Sequence, residues 1–555
     1  MSRGGSTLYA AALMLALGCA NAQGPTPGRT TRSARRPLTR AERTQFAETS
    51  HYDDVMAFLD SLVARAGASM TLTSYGRTTE GRRIPFAVLS RPAVSRPEEA
   101  KALGRPIVYV QANIHAGEVE GKEALLALMR DLALDSRRNV LDSLVLIAVP
   151  IYNADGNERF APQQANRGEQ NGPEMVGQRA NGQGLDLNRD YVKAEAPETR
   201  MSLEQMTRWD PQVFVDLHTT DGSFHGYALT YSPSLNPAAL FGGVYARDSM
   251  LPQLRARMRS RHRFELFDYG NFISGDSVEK GWSTYDARPR FGTNYVGLRN
   301  RIGILSEAYS HDPFERRVRS TYAFVSEILS LVAERSTAIR SLTARGDSAT
   351  AAWSRAGHSG PPIALRSEIT HSPVMTSVRV ERMAHTADSV RHEPGVPPGL
   401  ARGPVYSTHI PLYDRFVPTL SRTLPYSYLI PVGETTAVRI LKVHGVEVQN
   451  LTRDWSGDVE RFVIDSVDRS VRPFQGHHEV RLSGHWLTDK RTVPAGSWII
   501  QASQPLGLVA FYLLEPESDD GLATWNVFDP AIARGAEFPV LRYSVPAADP
   551  HGSRP

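Results

Sequence analysis

Ile107-Val108-Tyr109-Val110-Gln111-Ala112-Asn113-Ile114-His115-Ala116-Gly117-Glu118 is the stretch that decides how this sequence folds. Ile107 to Ile114 reads as a buried strand, and it runs straight into His115. Leu125, Leu128, Met129 and Leu132 then recur at helical spacing, so a helix follows the strand. The same alternation extends both ways. Upstream, Tyr52 to Ala64 is an amphipathic helix, and Met70 to Tyr75 and Ile84 to Ser90 pair around the turn Thr79-Glu80-Gly81. Downstream, Leu144 to Ile151, Val213 to Leu217 and Ile302 to Leu305 are further core strands, with a helix expected over Ala238 to Arg261. Asp312-Pro313 is expected to cap a long helix, with Glu315 at the capping-box position and Phe314, Val318, Val325 and Val332 on its inner side. Strands alternating with helices predict an α/β fold, a mixed, mostly parallel twisted sheet with helices on both faces. Ligand sites in such sheets lie at the carboxyl ends of the strands, and His115, Asp155, His218 and Glu307 all fall just past strand ends.

At 555 residues the chain is too long for one ordinary core, so a further module is expected beside the α/β domain. Lys and Arg number 63 against 59 Asp and Glu, an even balance that, with no aromatic and basic cluster, excludes a nucleic-acid partner. Met1-Ser2-Arg3 is followed by an apolar run from Leu8 to Ala20 and a small-x-small cleavage site, Ala20-Asn21-Ala22. This predicts a signal peptide over 1–22 and export to a periplasmic or extracellular location. The apolar core is short of the roughly 20 residues that a spanning helix needs, so no transmembrane segment is expected. Cys19, the sole cysteine, lies inside this run and is a candidate lipid-anchor site, although Ala16 stands where such sites usually carry Leu. Cleavage after Ala22 leaves no cysteine, which excludes a disulfide scaffold, thiol catalysis and thiolate metal binding.

Residues 23–40 read as a disordered leader, 41–345 as the α/β domain, and 346–555 as an accessory region of mixed β character. Within the last, 346–424 is rich in Ser, Thr, Pro and His with scattered short strands. Thr435–Val443 is a short helix, and Ser497 to Ala502 and Leu508 to Leu514 are the clearest strands. Nothing in this region reads as chemistry. His477, His478 and His485 cluster there with Glu479, but strand alternation puts His477 and His478 on opposite faces, so no second metal site is expected.

The chemistry is carried by an ordered set. His115 and Glu118 can turn toward one point from a strand end, and His218 follows a later buried strand in Val215-Asp216-Leu217-His218. Two imidazoles and a carboxylate with one open position are what a catalytic zinc uses, although cobalt or manganese would be tolerated. Between these ligands lie Arg179-Ala180-Asn181 and Asp186-Leu187-Asn188-Arg189, and Ile304-Leu305-Ser306-Glu307 brings a carboxylate to another strand end.

In this order the motifs resemble those of the carboxypeptidase A-like (M14) metallocarboxypeptidases, over about 50–340. Tyr75 to Arg82 and Asn153-Ala154-Asp155-Gly156 also look like family landmarks. The resemblance implies one zinc per chain held by His115, Glu118 and His218. It makes Glu307 the general base toward a zinc-activated water, and sets Arg179 facing the developing oxyanion. Asn188 and Arg189 would grip a terminal carboxylate, and Asp186 would orient His115. A mobile Tyr would reach the substrate; Tyr285 and Tyr295 both qualify by position, and Tyr295 is the one expected from its Gly-rich context. The specificity pocket should come from 285–300, where Arg288, Arg290 and Arg299 allow an acidic preference, although solvated surface arginines are the plainer reading. The implied activity is a secreted zinc metallocarboxypeptidase acting on a peptide or protein with a free C-terminal carboxylate. Two alternatives stay open: a zinc deacylase, amidohydrolase or cell-wall peptide hydrolase of the same fold, and a non-catalytic secreted binding protein on a peptidase scaffold.

Overall fold

The computed structural model describes residues 36–274, 277–385, 396 and 400–544. The expected signal peptide, with Cys19, and most of the expected leader lie outside the described residues. Eight strands form the main sheet: β1 (Met70–Arg77), β2 (Arg83–Leu89), β3 (Ile107–Ala112), β4 (Val145–Val149), β5 (Val213–Thr219), β6 (Leu229–Pro233), β7 (Leu266–Asp268) and β8 (Ile302–Ala308). Their spatial order is β1-β2-β4-β3-β5-β8-β6-β7. The central four, β4, β3, β5 and β8, run parallel, whereas β1, β2 and β6 join antiparallel. From β3 the chain crosses to β4 on one side, then returns to β5 on the other. The carboxyl ends of β3 and β5 therefore form the crevice where connections diverge, the usual ligand position in an open α/β sheet.

Residue alternation along β3 shows why the sheet needs cover on both faces. Val108, Val110 and Ala112 enter one core with Val55, Phe58, Leu59 and Leu62 of helix α1 (Tyr52–Ala66) and Leu125 and Met129 of α2 (Glu120–Leu134). Ile107 and Tyr109 enter the other, with Leu203, Met206 and Trp209 of α3 (Pro197–Trp209). This second core also contains Tyr428, Ile440, Phe511 and Trp525, so the C-terminal region packs on the same sheet face.

The expected boundary at 345/346 is accordingly corrected. After α4 (Gly292–Leu298) and α5 (Phe314–Glu334), helix α6 (Ser336–Ala356) runs through that boundary, and from Leu38 onward the chain is one compact unit. The strands of 346–424 are long rather than short, including Val374–His385 and Leu400–Tyr413 paired antiparallel. The helix at Thr435–Val443, α7, is as expected. Leu508 to Leu514, expected as a strand, belongs to a helix, α8 (Gly507–Leu514), every residue of which is buried. An apolar run surrounded by protein on all sides carries no periodicity from which helix and strand can be told apart. The expected cap of α5 is also absent. Pro313 is its N-cap with no side-chain bond, Asp312 accepts from Arg316 at 2.8 Å, and Glu315 pairs with Arg319 at 2.6 Å. A hairpin of β9 (Trp455–Arg469) and β10 (Val480–Val493) completes the parts needed below. Among the described residues, no helix is long and apolar enough to cross a membrane.

Candidate metal centre and active site

Beyond β3, Asn113 takes a left-handed conformation (φ 66°), and its amide donates to the carbonyls of Ala116 and Glu118. That tight turn swings His115 and Glu118 toward the end of β5. Glu118 bridges the two histidines: Oε1 lies 3.0 Å from His115 Nδ1, and Oε2 lies 3.0 Å from His218 Nδ1. The ligating atoms all lie within 4.8 Å of one another, and all three residues are buried. Each imidazole has a carboxylate behind it. Asp186 Oδ1 is 3.1 Å from His115 Nε2, and Asp216 Oδ2 is 3.1 Å from His218 Nε2. The hydrogen bond of Asp186 at Nε2 favours for His115 the tautomer protonated there, which leaves its Nδ1 lone pair on the side of Glu118. Two nitrogens and one carboxylate converging from a fixed outer shell fit zinc.

Burial opposes ionisation of Glu118, but His115 and Arg167 hold its carboxyl well below the ordinary range. Arg167 Nη1 is 3.1 Å from Glu118 Oε1, and Nη2 donates to the carbonyls of Thr219 and Thr220. Its stem lies over Gly117, where a Cβ would meet Arg167 Cγ at 2.7 Å. Glycine between Ala116 and Glu118 is thus the room this arginine needs.

The cluster opens into a cavity of about 190 Å³ that Arg179, Asn188, Arg189, Asp221, Tyr285 and Glu307 also line. Glu307, 6% exposed, is the register partner of His218 on neighbouring parallel strands. Burial raises its carboxyl well above the usual range; His218 opposes this, and Glu118 and Asp221 reinforce it. Asp186 organises the opposite wall. Besides facing His115, its carboxylate accepts from Asn188 N at 2.9 Å and from Arg179 Nε at 2.9 Å. Against its burial, His115 and Arg179 hold it below the ordinary carboxylate range. Asn188 Oδ1 accepts from Gly292 N at 3.0 Å, which commits the oxygen and leaves the amide nitrogen as the donor available to the cavity. Arg189 lies over the Phe291 ring at 4.1 Å and donates to the Asn188 carbonyl. Among the described residues no carboxylate forms an ion pair with it. Burial lowers the proton affinity of its guanidinium; Asp186 and Asp286 oppose this, and the neighbouring charges of Arg179 and Arg290 reinforce it. A guanidinium with donors left over can take an anionic group as its partner.

Of the expected site residues, His115, Glu118, His218, Arg179, Asn188, Arg189 and Glu307 all meet in this cavity. Tyr295 does not, and the expectation for it is corrected. It is 1% exposed in α4, its hydroxyl 2.8 Å from His444 Nδ1. Tyr285 lines the cavity instead. None of the three arginines of 285–300 lines this cavity, and only Arg288 is partly exposed to solvent. Arg290 is buried against Asp520, Arg299 is buried against Tyr295 and the His444 carbonyl, and Arg288 pairs with Asp286. Tyr269, Phe291 and Leu305 add apolar wall that sequence reasoning did not find, and nothing in their local pattern marks them. Arg167 and Asp221 were missed for the same reason. Asn153 and Asp155 are braces: Asn153 Nδ2 donates to the carbonyls of Ile114 and Arg179, and Asp155 accepts from Thr78, Glu80 N and Arg82. His477, His478 and His485 each bond elsewhere, to Glu195, the Ser470 carbonyl and Asp465. Among the described residues only His115, Glu118 and His218 converge as a metal-binding group.

Residues 55–262 match the family model described as zinc carboxypeptidase. A protein named carboxypeptidase 2 from Trichophyton tonsurans is 24% identical over 512 residues, covering 88% of this chain and 86% of that protein. Carboxypeptidase D of Homo sapiens is 33% identical over 162 residues, 28% of this chain and 11% of its own length. A metallo-carboxypeptidase structure from Burkholderia cenocepacia is similar with a TM-score of 0.36 at 16% identity, covering 51% of this chain and 70% of that one.

Proposed function

We propose that this chain is an exported zinc metallocarboxypeptidase of the M14 family that releases single residues from the free C-terminus of a peptide, a reading supported by the zinc carboxypeptidase match over residues 55–262 and by the likeness to carboxypeptidase 2. The observation that carries this is Arg189, a half-buried guanidinium without an ion pair among the described residues, in the same cavity as the His-Glu-His cluster and Glu307. A planar fork beside a committed Asn amide suits a terminal carboxylate. Export is supported by the apolar run from Leu8 to Ala20 and the small-residue site that follows it.

His115, Glu118 and His218 would hold one zinc per chain, which when bound would supply a Lewis acid that polarises the scissile carbonyl and lowers the pKa of water. Arg189 and Asn188 fix the substrate's terminal carboxylate, which sets the last peptide bond beside the cluster. Glu307, made more basic by burial, takes the proton of the attacking water and hands it to the leaving amine. Arg179, tied to Asp186 through Nε, turns its remaining N–H groups to the oxyanion as charge develops. Tyr269, Tyr285, Phe291 and Leu305 give the released residue an apolar surface, so apolar C-terminal side chains are preferred over acidic ones.

The test is metal analysis of the purified protein together with hydrolysis of matched peptides with free and amidated C-termini. Zinc near one per chain and release of single residues from free ends only is the expected result. Zinc with no release from any peptide would overturn the carboxypeptidase reading in favour of a deacylase.

A further inference from the structure

The tip of the β9–β10 hairpin, residues 470–479, reaches the candidate site from the C-terminal region. Phe474 N donates to the His477 carbonyl at 2.8 Å, and His477 N donates back to the Phe474 carbonyl at 3.0 Å. Between them Gln475 (φ 50°) and Gly476 (φ 83°) are both left-handed. Two left-handed residues closing a narrow pair make a type I′ turn, whose first position strongly favours Asn, Asp or Gly. Gln is poorly suited to that conformation, so its presence needs another reason. Its side chain supplies one: Gln475 Oε1 accepts from Asp186 N at 3.0 Å. Asp186 is the residue whose carboxylate holds His115, Arg179 and Asn188 N together. Asn would suit the turn better but is one methylene too short to make this bond.

A second anchor comes from the same region. Arg290 N donates to Asp520 Oδ2 at 2.6 Å, its guanidinium donates to Asp520 Oδ1, and it lies 4.5 Å from the Trp525 ring and 5.4 Å from Phe474. Arg290 immediately precedes Phe291, against which Arg189 packs.

We infer that the C-terminal region is a built-in part of the active site, with Gln475 as a positioning residue that fixes Asp186 and, through it, the ligand His115. Assigning zinc to this cluster rests on the function proposed above, but the inference concerns metal affinity and not turnover. The experiment compares Gln475→Asn, Gln475→Met and Gln475→Glu with wild type in the full chain. It reads zinc affinity by chelator competition, thermal midpoint by calorimetry, and kcat and KM separately. Loss of an outer-shell partner costs 10–100-fold in metal affinity or activity. One bond further out, Gln475→Asn and Gln475→Met are expected to weaken zinc about tenfold and to lower kcat in proportion. Gln475→Asn keeps or raises the thermal midpoint because it suits the turn, and Gln475→Glu, which retains an acceptor, stays close to wild type. A purely structural tip would show the reverse, Gln475→Asn binding zinc as wild type does, and that result overturns the inference. If wild type binds zinc yet releases nothing from any peptide, the functional reading fails while the zinc comparison still decides this one.

Discussion

Glu307 and His218 sit directly opposite one another on the parallel strands β8 and β5, the last paired rungs but one of the sheet's centre. Register partners on adjacent strands point to the same face about 5 Å apart. This pairing therefore puts a buried carboxylate beside a candidate metal ligand without any loop having to be held in place. It also explains why both residues are read at strand ends: the ladder stops where the cavity begins.

Replacing Glu307 by Gln keeps the shape and removes the base. We expect kcat to fall about 10²–10⁴-fold, the range for loss of a general base, with zinc content unchanged. A variant that loses its zinc as well would mean that Glu307 supports the metal and not the proton transfer.

Arg189→Lys preserves the charge but not the planar fork. About tenfold should be lost from kcat/KM on peptides with free C-termini, corresponding to one charge-assisted hydrogen bond of roughly 1.5 kcal/mol. The loss should appear mainly in KM. Equal kcat/KM for the variant and wild type would remove the terminal carboxylate from this arginine.

Tyr285 and Tyr295 are separated by one pair of substitutions. Tyr295→Phe should leave kcat and KM alone and cost about 1–3 kcal/mol of stability, because His444 Nδ1 loses its buried partner. Tyr285→Phe should leave stability nearly unchanged and alter turnover, since Tyr285 lines the cavity. The opposite pattern would reinstate Tyr295 at the substrate.

His444 makes stability depend on pH. Burial lowers its pKa to about 4 from an ordinary value of 6.5. The unfolded chain thus binds a proton that the folded one refuses between those two values. Stability from this group is complete above pH 6.5, declines as the pH falls toward 4, and amounts to about 3 kcal/mol at most. Denaturant unfolding of His444→Gln from pH 7 to 4 should show a flatter decline than wild type; parallel curves would assign the loss to other groups.

Residues 38–345 alone should not fold cooperatively. Truncation there cuts α6 and strips Phe511, Trp525 and Tyr428 from a core that includes Tyr109 and Phe214 of the main sheet. A sharp calorimetric transition for that fragment would restore an independent domain ending at 345.

The central strands and the candidate ligand set were legible in the sequence. A strand buried on both faces must be a short apolar run, and His115, Glu118, His218 and Glu307 sit at or just past the ends of such runs. Their position is thereby fixed to the backbone by local rules of burial and alternation. Other features were not legible. Leu508 to Leu514 is apolar throughout, so it fits a strand as well as the buried helix it forms. Tyr295 and Tyr285 lie in similar loop-like sequence, and only the packing of α4 against His444 turns one away. Arg167 meets Glu118 from 49 positions away, and Gln475 meets Asp186 from 289. Neither local pattern contains its partner. The sequence by itself thus determined the central strands, whose burial depends on neighbours in the chain, and marked the candidate ligands and candidate base through the order of their motifs. What only the tertiary structure decided is which tyrosine faces the cavity, which arginines are buried, and that the C-terminal region touches the site. Those depend on contacts between distant segments, and such contacts leave no periodicity behind.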